Sequence, residues 1–145
     1  MNVSAHQIFS FISILIFSLI LSVQDIRRLK VGVFIQWLSI FCVLACHLIF
    51  ARTEMWIFVL SSMIMGTFYF AVRKITKDKL GSADVWFGFF QGLFLFPKMI
   101  PICLCTEVLA SFCIMNKRIG HKQFAFIPFM SFGLILTFIL QIAFM

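Results

Sequence analysis

Apolar stretches long enough to cross a membrane fill most of this chain, and no polar stretch of domain length lies between them. Hydrophobic residues make up 63% of the 145 residues, whereas an average soluble domain contains about 45–50%. A helix needs roughly 17–25 apolar residues to span the hydrocarbon core of a bilayer. The sequence therefore predicts an all-α integral membrane protein with a single transmembrane domain over residues 1–145.

Six transmembrane helices are predicted from these stretches. They cover residues 8–24, 31–50, 55–72, 82–99, 100–115 and 124–145. The fourth stretch is continuously apolar only over 85–96, and a helix over 82–99 would reach about 27 Å at 1.5 Å per residue. No small-residue cleavage site follows the first stretch. We therefore expect it to be a span and not a cleaved signal peptide.

The basic residues predict the orientation of the chain, whose net charge is +7. Only Arg52 and Lys98 lie outside the turns that follow the first, third and fifth spans. Those turns contain Arg27, Arg28, Lys30, Arg73, Lys74, Lys77, Lys79, Lys117, Arg118 and Lys122. The positive-inside rule then places these turns in the cytoplasm and both termini outside. A net positive charge is also typical of proteins that bind nucleic acid. Membrane topology accounts for the charge here, so we expect membrane lipid as a partner and no nucleic acid.

Two aspartates lie at span ends on the predicted cytoplasmic side. Asp25 follows the first apolar stretch, and Asp84 opens the fourth. Either residue alone fits a solvated helix end, since a carboxylate at mid-bilayer costs about 2.5–3.5 kcal/mol. Brought together, two carboxyl groups can share a proton, one acting as a base towards water and the other donating a hydrogen bond to a carbonyl. The pair predicts peptide hydrolysis without a metal or cofactor, and its two members titrate as a unit, so neither is assigned as the base.

Three small residues, Gly81, Ser82 and Ala83, precede Asp84. Small residues allow another backbone to approach closely, as an extended substrate would have to do. Ser82 is also a candidate cap for the helix that begins here, and a helix start favours an anion at Asp84.

Three segments together resemble one protease family. Residues 81–84 resemble the GxGD signature of intramembrane aspartyl proteases, with Ala83 at the second glycine. Their position after a third span and a basic loop is similar to that in type IV prepilin peptidases. The stretch 25–31, an aspartate followed by basic residues and a short apolar one, is similar to the end of that family's first span. Residues 126–133, with Pro-Phe before a glycine, resemble the opening of its last span.

The resemblance implies a bundle of six helices similar to GxGD aspartyl proteases, in a prokaryotic cytoplasmic (inner) membrane. It implies that Asp25 and Asp84 are catalytic, that residues 81–83 support them, and that the substrate is a prepilin-like membrane protein with a basic leader. The chain has no cysteine-bearing cytoplasmic insert, so it is similar to the short members, and we expect no methyltransferase activity. The alternatives are a catalytically inactive relative acting as a scaffold and, less favoured because both acids lie on one side, a proton-coupled transporter.

Other residues in the apolar stretches are interpreted as structural. Glu107, midway along the fifth span, is predicted to form hydrogen bonds between helices; the less favoured alternative is a part in the active site. Gly88 and Gly92 form a GxxxG pattern that predicts close packing of the fourth helix against a neighbour. The cysteines, including the closely spaced Cys42 and Cys46, are predicted to be buried free thiols, because zinc sites usually need four ligands.

Overall fold

The computed structural model describes residues 5–28, 31–77, 80–115 and 125–144, with side chains given up to residue 111 of the third range. Most of these residues are helical, and no strand lies among them. The helices are α1 (Ala5–Arg28), α2 (Val33–Phe50), α3 (Met55–Ile75), α4 (Ser82–Gly92), α5 (Ile100–Met115) and α6 (Ile127–Phe144), with a short 3₁₀ helix at Pro97–Met99. Four of them, α1, α2, α3 and α6, are long and apolar enough to cross a membrane.

The prediction for the fourth helix is wrong in length. α4 has 11 residues and ends at Gly92, so it reaches only about 17 Å. Residues 93–96 then leave the helical path before the 3₁₀ helix begins at Pro97. The first helix also extends beyond the predicted span 8–24, because α1 begins at Ala5 and continues through Asp25 to Arg28.

The break after α4 is buried, and side chains from distant helices satisfy its backbone. The Nε2 atom of His47 donates to the Leu93 carbonyl at 2.6 Å. Gln141 donates to the Phe94 carbonyl at 3.0 Å and accepts from the Phe96 amide at 2.9 Å. Buried backbone groups need such partners, because an unpaired buried donor or acceptor costs about 1–3 kcal/mol.

α4 lies at the centre of the bundle and packs most extensively on α3. The predicted GxxxG contact is confirmed on this interface. A Cβ atom at Gly88 would overlap the Tyr69 ring, and one at Gly92 would overlap the backbone of Ser62. Ser62 also donates to the Phe89 carbonyl at 2.6 Å. The two helices therefore approach closely because α4 has no side chain at these positions.

Cross-helix contacts define two ends of the bundle. At the aspartate end, Gln36 near the start of α2 donates to the Ala83 carbonyl at the start of α4, and Asp25 near the end of α1 meets the first residue of α6. At the histidine end, His6 of α1 contacts His47 of α2. The turns after α1 and α3 therefore lie at the same end, as predicted.

The charges follow these two ends within the described ranges. Arg52 and Lys98 lie at the histidine end. The aspartate end has Arg27, Arg28, Arg73, Lys74 and Lys77. The other predicted basic positions, Lys30, Lys79 and the loop 116–123, lie outside the described residues.

Candidate active site

Asp84 lies in the first turn of α4 and is 7% exposed. Its Oδ2 atom accepts a hydrogen bond from the Gly81 amide at 3.0 Å. Gly81 is the N-cap residue, so the prediction that Ser82 caps the helix is wrong; Ser82 is the first helical residue and is exposed. A Cβ atom at Gly81 would lie 3.1 Å from that carboxylate oxygen, which favours glycine at this position.

Asp25 comes from the last turn of α1 and is 8% exposed. Its Oδ2 atom accepts a hydrogen bond from the Ile127 amide, the first of α6, at 3.1 Å. The backbone of Phe126 provides a second contact. Helix starts expose unpaired N–H groups and carry a partial positive charge. Each aspartate therefore faces the amino end of a helix: Asp84 its own, and Asp25 that of α6.

The fold places the two predicted catalytic residues at the same end of the bundle, within electrostatic range of each other. Asp25 and Asp84 lie on different helices, both are buried, and their carboxyl groups interact electrostatically. Two carboxyl groups that interact at a buried site can hold a single proton between them, which leaves one as a base and one as a hydrogen-bond donor. The arrangement has the groups required for activating a water molecule.

The residues around the pair include one that the sequence did not single out. Gln36 of α2 is buried and donates to the Ala83 carbonyl at 2.8 Å. This bond holds α2 against the segment that precedes Asp84. Pro128 lies in the first turn of α6, where its missing N–H costs no helical hydrogen bond, and this turn lies directly on Asp25.

Glu107 lies deeper in the bundle and links three helices, as predicted. Only 1% of the residue is exposed. Its Oε1 atom accepts from Gln91 of α4 at 2.6 Å and from the Cys103 thiol at 3.1 Å, and its Oε2 atom accepts from the Tyr69 hydroxyl of α3. Tyr69 and Gln91 were not predicted from the sequence, although polar residues inside apolar spans usually have buried partners.

The described cysteines are free, but the prediction that they are buried holds only in part. Cys103 is buried, Cys46 is half-buried, and Cys42 and Cys105 are exposed on the bundle surface. In the described ranges, no three or more His, Cys, Asp or Glu side chains are grouped to hold a metal ion. Cys113 lies where side chains are not described.

Comparison with known proteins finds no match: no family model, curated protein or solved structure is significantly similar to this chain. The resemblance to prepilin peptidases therefore remains a prediction based on three short segments.

Proposed function

We propose that this chain is a membrane aspartyl endopeptidase of the prepilin-peptidase type, with Asp25 and Asp84 as the catalytic pair. The observation that supports it most is the burial of two carboxyl groups, from α1 and α4, at the same end of the bundle and within electrostatic range of each other. Buried carboxylates without structural necessity are rare in membrane bundles, since each costs free energy. In the proposed reaction one carboxylate takes a proton from water, while the other, protonated, donates a hydrogen bond to the scissile carbonyl.

The proposed substrate is a prepilin-like membrane protein with a basic leader and one apolar helix. In the proposed topology all six helices cross or enter the inner membrane of a prokaryote, with both termini outside and the aspartate end in the cytoplasm. Arg27, Arg28, Arg73 and Lys74 at this end support that orientation. Because these side chains repel a basic leader, the apolar helix of the substrate and anionic lipid supply the binding free energy. No methylation of the product is proposed.

A second candidate has its own support. Both carboxylates accept hydrogen bonds from backbone amides at helix starts, and this contact alone would justify an acid at each position. The chain would then be a catalytically inactive scaffold whose aspartates only secure α4 and α6.

Cleavage of a candidate prepilin co-expressed with this chain separates the two candidates. Asp25→Asn and Asp84→Asn keep a side-chain oxygen for the helix-start contact but remove the ionisable group. We expect wild type to shorten the prepilin and each variant to lose cleavage by at least about 100-fold. Glu54→Gln, at the histidine end, is the matched control and should cleave like wild type.

The variants need to be compared at equal amounts of membrane-inserted protein. Cleavage by both Asn variants at the wild-type rate would support the scaffold and reject the peptidase. Failure of wild type on several pilin-like substrates would also reject it.

A further inference from the structure

A cavity of about 170 Å³ lies at the histidine end of the bundle, at the opposite end from the aspartate pair. Its wall is formed by residues of α1, α2, α3 and α6 and of the non-helical stretch after α4. An engineered protein cavity of about 150 Å³ binds benzene, so this cavity has room for a small organic group. His6, His47 and Glu54 line it from the ends of their helices, and lipid headgroups lie at the level of span ends.

Aromatic rings form the apolar part of this wall. The phenylalanines that line the cavity are Phe58, Phe94, Phe96 and Phe138. The centroid of the Phe58 ring lies 5.1 Å from that of Phe96 and 4.7 Å from that of His47. The face of an aromatic ring carries partial negative charge, and several rings around one space attract an organic ammonium ion. The apolar part of the wall therefore favours a cation over an anion.

The polar part of the wall offers hydrogen-bond acceptors. Nε2 of His47 donates to the Leu93 carbonyl, so Nδ1 of the neutral ring accepts, and Nε2 of His6 donates to it at 3.0 Å. Nδ1 of His6 is then left with a lone pair. Ser10, which is 4% exposed, adds a hydroxyl oxygen to the wall. Among the described residues, Glu54 is the one acid that lines the cavity, and no lysine or arginine does so.

We propose that this cavity binds a primary ammonium group, with the exposed Glu54 carboxylate at its mouth as the counter-ion. The three N–H donors of such a group suit the acceptors of the wall, whereas a trimethylated ammonium has no N–H to donate. A membrane supplies this chemistry as the ethanolamine headgroup of a phospholipid, and a free amine supplies it from solution. The site does not depend on the proposed peptidase activity, which lies at the aspartate end.

Thermal unfolding of the full chain in detergent micelles, at neutral pH and constant ionic strength, tests the site. The two probes are phosphatidylethanolamine and phosphatidylcholine with the same acyl chains, which differ only in methylation of the ammonium group. We expect the melting temperature to rise saturably by about 5 °C with phosphatidylethanolamine and much less with phosphatidylcholine, because a ligand stabilises the state that binds it.

Two variants test the polar wall. Glu54→Gln removes the counter-ion and should raise the phosphatidylethanolamine concentration needed for half of the stabilisation by about tenfold. Ser10→Ala removes a neutral hydrogen-bond partner and should raise it by about threefold. Ser13→Ala is the matched control, because Ser13 is also buried on α1 but does not line the cavity. It should respond like wild type.

Equal stabilisation of wild type by the two phospholipids would overturn the proposal. An unchanged half-saturation concentration in Glu54→Gln would overturn it as well, because the ammonium group would then bind elsewhere. If Glu54→Gln does not fold, the serine variants decide, and equal half-saturation concentrations in Ser10→Ala and Ser13→Ala reject the site.

Millimolar ethanolamine in the same assay distinguishes the two sources of the ligand. Stabilisation of wild type by ethanolamine alone, lost in Glu54→Gln, would support the site with a free amine as its ligand. A response confined to phosphatidylethanolamine would support the site with a lipid headgroup as its ligand.

Discussion

The two ends of α4 are held by opposite chemistry. At its start the unpaired backbone groups are N–H donors, and the Asp84 carboxylate accepts from one of them, the Gly81 amide; Asp25 makes the same kind of contact at the start of α6. At its finish, the exposed groups are carbonyls, and His47 and Gln141 face them as donors. The carboxyl groups at the start of α4 and α6 are ionisable. At the finish of α4, the Gln141 amide is not ionisable, and the Nε2 proton of His47 is donated to the Leu93 carbonyl. The comparison indicates that substitutions at the start should affect chemistry and those at the finish should affect folding.

The largest effect on stability is expected at the finish of α4. Gly92→Val would place a side chain in the backbone of Ser62, and overpacking a tight contact costs about 1–3 kcal/mol or more. We expect a loss of about 3 kcal/mol in the free energy of unfolding in detergent, measured by denaturant titration. Gly32→Ala is the control, because its Cβ atom would meet only Gln24 Oε1 at 3.8 Å. Wild-type stability of Gly92→Val would show that α3 and α4 are not in close contact.

A smaller loss of stability is expected from substitution of His47, which donates a hydrogen bond to the non-helical backbone after α4. His47→Leu leaves the Leu93 carbonyl buried without its partner and also removes the 3.0 Å contact with His6. An unsatisfied buried acceptor costs about 1–3 kcal/mol, so we expect a loss of about 2 kcal/mol by the same titration. Cys42→Ala, on the exposed face of the same helix, should lose much less. Equal losses in the two variants would argue against the role given to His47.

The smallest effect on stability is expected at the aspartate end. Asp25→Ala removes the acceptor at the start of α6 and should cost about 1 kcal/mol, whereas Asp25→Asn keeps an acceptor and should cost a few tenths. Under the proposed function both variants lose cleavage completely. The comparison between the two ends would fail if Asp25→Asn destabilised the chain as much as His47→Leu does.

The pairing of the two aspartates at one end could be predicted from local features. Runs of apolar residues locate the helices, and counting turns puts Asp25 and Asp84 on the same side. The buried face of α1 also includes Ser18, Leu21 and Asp25, at intervals of three and four residues, so this helix period directs Asp25 inwards. These signals depend on residues close to one another in the chain.

The break after Gly92 could not be predicted in the same way. Residues 93–96 are as apolar as the helix before them, so hydropathy favours an uninterrupted span. The groups that satisfy the break are His47 and Gln141, each more than 40 residues away. The same reason applies to Tyr69 and Gln91, whose partner Glu107 is on another helix. A local pattern contains no information on such partners.

One aromatic contact at the aspartate end has a practical consequence. Trp86, two residues after Asp84, lies with its ring centroid 4.6 Å from that of Trp37 on α2. The third tryptophan, Trp56, is 73% exposed and lies at the start of α3, at the opposite end. In a Trp56→Phe protein, tryptophan fluorescence would come from the Trp37–Trp86 pair alone. The chain therefore has a built-in optical reporter next to Asp84, and a change in its emission would record α4 moving against α2 without any added label.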